Sequence, residues 1–130
     1  MKISHLAIWT LDLERLRNFY CTYFRAKSNK IYVNPVKQFS SYFLTFENGD
    51  CSIELMNKPT IDSTTDSEKG DKSGLAHFAF SVGSKEAVDE LTEQLRASGI
   101  EIIGEPRLTG DGFYESVIAD PDGNIVEITI

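Results

Sequence analysis

Histidine, cysteine and long apolar runs are scarce in this chain of 130 residues. Two cysteines, Cys21 and Cys51, make no C-x-x-C pair, which leaves out a sulfur-ligated metal site; the expectation is two packing thiols in a reducing compartment. No apolar stretch approaches the length that spans a bilayer, and the start, Met1-Lys2-Ile3-Ser4-His5, enters strand-like sequence without a signal-peptide h-region. The expected location is the cytoplasm, with no membrane partner. Basic residues are outnumbered, 13 Lys and Arg against 20 Asp and Glu, and the net charge of -7 leaves no basic stripe for nucleic acid. What remains is a mixed-charge chain, 41% hydrophobic, long enough to bury a core without staples.

The two histidines are therefore conspicuous, and they occupy matching places in two copies of one pattern. Ser4-His5-Leu6-Ala7-Ile8 is answered by Ala76-His77-Phe78-Ala79-Phe80, and laying residue n on residue n+72 also matches Ile3 with Leu75. Each histidine strand leads into a helix. One starts near Asp12, a good N-cap, and carries Leu16, Phe19, Tyr20, Tyr23 and Phe24 at helical spacing. The other starts near Ser84, carries Val88, Leu91 and Leu95 on one face, and stops at Gly99.

Three strand-like segments follow each helix: about 27–33, 41–47 and 51–56 in the first half, and about 101–107, 112–119 and 124–130 in the second. Asn48-Gly49-Asp50 and Asp120-Pro121-Asp122-Gly123-Asn124 supply turn chemistry before the last strand of each half. The chain thus reads as one α+β domain over 1–130, built of two tandem βαβββ modules. Module one covers about 1–58 and module two about 74–130, with a polar connecting loop over about 59–73.

Each histidine is followed by a glutamate set between aliphatic residues, Glu54 at 49 positions from His5 and Glu127 at 50 from His77. Strand alternation puts Leu6 and Ile8, Phe78 and Phe80, Ile53 and Leu55, and Val126 and Ile128 under the helices. His5, Ala7 and Trp9, with His77, Glu54 and Glu127, then point the other way, toward a lined cavity. Singly, a strand histidine is a half-buried structural residue and such a glutamate is the wet side of a strand. The duplicated set favours a metal site instead. Imidazole nitrogen and carboxylate oxygen suit divalent ions such as Zn²⁺, Ni²⁺, Co²⁺, Fe²⁺ or Mn²⁺, and four such ligands leave positions open for a chelating substrate. Glu115, Trp9 and Phe113 are further candidates for substrate contact. A wet strand carboxylate explains the first as well, and packing between strands explains the aromatic pair. Gly110-Asp111-Gly112 reads as an ordinary turn or as a gating loop.

The paired modules, with His5-Leu6-Ala7-Ile8, Ala76-His77-Phe78-Ala79-Phe80-Ser81-Val82 and Asp120-Pro121-Asp122-Gly123-Asn124-Ile125-Val126-Glu127, resemble the vicinal oxygen chelate superfamily. That group includes glyoxalase I, methylmalonyl-CoA epimerase, extradiol dioxygenases, and fosfomycin- and bleomycin-resistance proteins. The resemblance implies a curved mixed sheet around a cavity, helices outside, and commonly a homodimer. It also implies one divalent metal, Zn or Ni foremost with Co, Fe or Mn as other fits, held by His5, Glu54, His77 and Glu127.

The His-Glu-His-Glu set is the glyoxalase I pattern, and it implies a lyase or isomerase. Such an enzyme moves a proton through an enediolate of a small vicinal-oxygen substrate, with Glu54 and Glu127 as the catalytic carboxylates. The alternatives are a ligand-sequestering protein like those of bleomycin resistance, or an epimerase or dioxygenase of the same superfamily. Two positions depart from bacterial glyoxalase I. Trp9 stands where those enzymes carry a glutathione-binding arginine, and Lys58 stands where they carry an asparagine.

Overall fold

In the computed structural model, residues 1–47, 49–62 and 74–130 are described. Asn48 of the first turn, and residues 63–73 of the connecting loop, lie outside them. The chain divides into two compact units, Met1–Thr64 and Thr65–Ile130.

The first unit runs β1 (His5–Trp9), α1 (Leu13–Tyr23), β2 (Lys27–Ser28), β3 (Tyr32–Asn34), β4 (Phe39–Thr45) and β5 (Ser52–Asn57). Its sheet has the order β1-β5-β4-β2, with β3 also on β4. First and last strands pair in parallel, and the others are antiparallel. Helix α1 begins where expected because the Asp12 carboxylate accepts from Arg15 N–H at 2.9 Å. It packs on β4 and β5, closing a core of Ile8, Leu16, Phe19, Tyr20, Leu44, Ile53 and Leu55.

The single strand expected over 27–33 is instead two short pieces. Residues 27 and 28 pair with 45 and 44, whereas residues 32–34 pair with 41–39, so one extra residue is fitted between the pieces. This is a bulge. Asn29 fills the gap in the ladder: its N–H donates to Phe43 O, and its side-chain oxygen accepts from Phe43 N–H at 2.8 Å.

The second unit repeats the plan with β6 (Phe78–Ser81), α2 (Lys85–Ala97), β7 (Ile102–Leu108), β8 (Tyr114–Ala119) and β9 (Ile125–Thr129). Its sheet order is β6-β9-β8-β7, again with the first and last strands parallel. Ser84 caps α2 by accepting from Ala87 N–H, and Gly99 ends it at φ 80°. Strand β7 is the edge, which accommodates Pro106, and two register shifts interrupt its pairing with β8.

On α2 the buried positions are Val88, Thr92 and Leu95, with Leu91 half-buried at the margin of the expected apolar stripe. Thr92 is tolerated inside because its hydroxyl donates to Val88 O and lies 2.6 Å from the Ser116 hydroxyl of β8. The cysteines are unpaired. Cys51, expected to pack, is exposed, because it stands in the turn just before β5.

Candidate metal centre

In the first unit the parallel register sets Ala7 opposite Glu54 and His5 opposite Ser52. His5 and Glu54 are thus diagonal neighbours on one face, an offset that long side chains bridge. The imidazole Nε2 lies 3.9 Å from a Glu54 carboxylate oxygen. The ring's other nitrogen, Nδ1, is 3.1 Å from the Ser4 hydroxyl, and the Phe43 ring stands edge-on to it at 5.5 Å. With Nδ1 engaged by Ser4, Nε2 is the nitrogen turned to the carboxylate, and the ring is held on both flanks.

The second unit builds the same diagonal. Ala79 faces Glu127, and His77 precedes Ala79 by two residues. Nε2 of His77 lies 3.3 Å from a Glu127 carboxylate oxygen. The two pairs agree in exposure as well as in geometry: the histidine side chains are 43% and 45% exposed and the glutamates 17% and 20%. A solvent-accessible imidazole beside a mostly covered carboxylate is a donor pair that a metal ion can reach.

The turn before β9 fixes where Glu127 falls. Buried Asp120 accepts from the N–H groups of Asp122 and Asn124, both at 2.9 Å, and from the Asn124 side chain, while Gly123 supplies φ 84°. These bonds close the turn and set the parity that turns Val126 and Ile128 inward. His5, Ala7, Trp9, His77, Ala79 and Ser81 are all exposed, so the face opposite the helix is open in each unit.

The structure brings the four residues together two by two. Among the described residues no group of three or more His, Cys, Asp or Glu gathers for a metal ion. The donor types fit a divalent ion in both pairs, each of which offers one nitrogen and one carboxylate.

The other candidates fall as follows. Glu115 pairs with Thr129 in the β8–β9 register, one pleat from the Val117–Glu127 row and on the same face. It is not a wet carboxylate: its side chain is 13% exposed and meets Arg107 across the strands at 3.4 Å. Arg107 was missed, since the two register shifts in β7 break the alternation that would have put it on this face. Gly104 makes room for it, because a Cβ there would lie 2.9 Å from the guanidinium. Phe113 is half-exposed at the end of a turn closed by Thr109, whose N–H donates to Phe113 O. In the same turn Asp111 accepts from the Thr109 hydroxyl.

Trp9 is 45% exposed. It meets Phe39 edge-on at 6.2 Å and carries the Lys58 ammonium 4.8 Å from its ring centroid. Phe39 and its neighbour Tyr32 were also missed: the bulge at 29–31 hides the parity around Tyr32, and Phe39 opens β4 two residues before the strand expected over 41–47.

Among the described residues no helix is long and apolar enough to cross a membrane. Residues 2–128 match the Glyoxalase/Bleomycin resistance protein/Dioxygenase superfamily. Two curated relatives are matched over parts of their length. YqjT of Bacillus subtilis is 41% identical over 58 residues, which are 42% of this chain and 45% of that protein. Biphenyl-2,3-diol 1,2-dioxygenase 2 of Rhodococcus globerulus is 26% identical over 99% of this chain and 62% of its own. The chain thus spans less than two thirds of either. Similar solved structures include glyoxalase I of Zea mays (24% identity, TM-score 0.78), with 98% of this chain and 44% of that one covered. A glyoxalase family protein of Enterococcus faecalis is also similar (24%, 0.78), over 99% of this chain and 97% of its own. Lactoylglutathione lyase of Agrobacterium tumefaciens matches at 24% and 0.67, over 98% and 92%. At these identities the solved structures speak for the fold, and the family match covers nearly the whole sequence: the chain belongs to the glyoxalase/bleomycin resistance protein/dioxygenase superfamily.

Proposed function

We propose that His5, Glu54, His77 and Glu127 are the ligands of one divalent metal ion, Zn or Ni foremost, and that the protein is a metal-dependent lyase or isomerase of glyoxalase I type. The observation that carries this reading is the duplicated His–Glu diagonal, equal in strand offset and in exposure in both units. Packing alone has no reason to repeat a half-exposed imidazole beside a covered carboxylate twice.

A bound ion would polarise the carbonyl of a substrate with adjacent oxygens and acidify the neighbouring C–H. The protein's own part is proton handling. Glu54 or Glu127 takes the proton from one carbon and returns it to the next, and the two imidazoles would help hold the ion. Ser4, through Nδ1 of His5, keeps the first of these oriented.

Metal analysis of protein purified without chelator tests the first half, with about one Zn or Ni per full ligand set expected. Chains that stay metal-free and take up neither ion on addition sink it. Deuterium uptake at carbon, followed by NMR on small α-hydroxycarbonyl compounds in heavy water, tests the second. Glu54→Gln and Glu127→Gln should each slow exchange by about 10²–10⁴-fold.

A sequestering protein is the second reading, favoured by the Trp9–Phe39–Tyr32 aromatic row. It predicts no exchange in the wild type and ligand affinity unmoved by the same substitutions.

A further inference from the structure

The face that carries His5 and Glu54 extends past them along the strands. Trp9 faces Met56, and Met56 faces Ser41, one row beyond the Ala7–Glu54–Phe43 row and so about 7 Å along the strands. Beyond that row stand Phe39 and Lys58. The Phe39 ring touches Trp9 on one side and Tyr32, at 6.3 Å, on the other. Three rings thus line one end of the face, and Trp9 and Tyr32 are half-exposed.

Lys58 is the charge at this end. Its backbone is pinned just after β5, where Lys58 O accepts from Ile61 N–H and Asn57 anchors the strand end by donating from its side chain to Thr10 O at 2.7 Å. Its ammonium lies over the indole, and among the described residues no ion pair involves it. Half-buried Lys58, with a ring beneath its ammonium and, among the described residues, no carboxylate paired with it, retains its capacity for an anion.

We infer that Lys58, held over Trp9, is a specificity-determining residue that reads an anionic group on a flat, apolar substrate, the rings of Trp9, Phe39 and Tyr32 taking the apolar body. The inference rests on the reading of this face as the ligand-binding one. It names the substrate class more closely: a small aromatic or conjugated compound with a carboxylate at one end and vicinal oxygens at the other. The positive charge set at the strand end by Lys58 selects anions locally, although the chain as a whole carries -7 and repels them.

Trp9 is the chain's sole tryptophan, so its fluorescence reports on this spot alone. The probes are benzoate and benzamide, alike in shape and different in charge, titrated into the full chain with EDTA and again with added Zn²⁺. Benzoate should bind about fivefold tighter than benzamide, the scale of an accessible ion pair. Lys58→Met should erase that preference and Lys58→Arg should restore it, with Zn²⁺ uptake, read by calorimetry, the same in all three proteins.

Equal affinity for the two probes, no response from either, or a preference that survives Lys58→Met overturns the inference, as does one that disappears with EDTA. Zn²⁺ uptake is the separate arm: its loss in the wild type would remove the metal reading while a Lys58-dependent benzoate preference stands.

Discussion

At the scale of single residues, polarity buried under satisfied hydrogen bonds recurs more than the amphipathic pattern suggests. Thr92 and Ser116 are fully buried and share one proton chain: Ser116 donates to Thr92, and Thr92 donates to Val88 O. Removing one hydroxyl leaves the other without its partner. Thr92→Val should therefore cost about 1–3 kcal/mol in urea unfolding, and Ser116→Ala less, because Thr92 keeps its bond to Val88. The double variant should recover part of the Thr92→Val loss, which a double-mutant cycle reads as a coupling of about 1 kcal/mol. Sequence periodicity gave no warning of this pair, since threonine on a helix is neutral to the apolar stripe and its partner is 24 residues away. The metal candidates were more legible. Histidine is so scarce here that its duplication stood out, and the aliphatic neighbours of Glu54 and Glu127 told which way the carboxylates point.

Between elements, each helix is tied to its sheet by a tyrosine, and the two tyrosines are again 72 positions apart. Tyr42 of β4 donates to Glu14 of α1, with the Arg17 guanidinium over its ring; Tyr114 of β8 donates to Asp89 of α2, with the Lys85 ammonium over its ring. The offset was available in the sequence, but the partners Glu14 and Asp89 are not themselves 72 apart, so nothing marked the pairing. Acceptance by the carboxylate holds both phenols above their ordinary value of 10.0, with burial adding to the effect in each. The Tyr42 hydroxyl, with Arg17 second, holds the Glu14 carboxyl below 4.5.

The folded state therefore binds the phenol protons more tightly than the unfolded chain. That stabilisation is whole below pH 10.0 and is lost as pH rises through the higher folded values. The Glu14 contribution is present above pH 4.5 and is lost as pH falls through its lower folded value. Tyr42→Phe should lower the denaturation midpoint between these limits and flatten its fall at both ends, and Tyr114→Phe should flatten its fall on the alkaline side. Urea melts across the pH range check both.

For the whole molecule, duplication is the organising fact, and it bears on assembly. We propose a homodimer, as expected from the resemblance, with a small-molecule substrate and no nucleic-acid partner. If each ion is shared between two chains, mixing His5→Ala protein with His77→Ala protein restores some intact ligand sets; if each is held by one chain, mixing restores none. After unfolding and refolding together, chain-sharing predicts about a quarter of the wild-type metal content, and single-chain sites predict none above the separate variants. Metal analysis after co-refolding decides between them.

The sequence by itself determined the repeat, the α+β class, the caps at Asp12 and Ser84, and the face to which His5, Glu54, His77 and Glu127 belong. These are local or periodic properties, written in spacing and in the scarcity of a residue type. Only the tertiary structure decided the rest, because each remaining feature depends on register between strands distant in sequence. The β1–β5–β4 register placed Phe39 beside Trp9, the bulge at Asn29 set Tyr32 against Phe39, and the shifts in β7 brought Arg107 onto Glu115. The parallel pairing of β1 with β5 and of β6 with β9 turned two histidines and two glutamates into two equal diagonals. Periodicity says which face a side chain takes; register says whom it meets there.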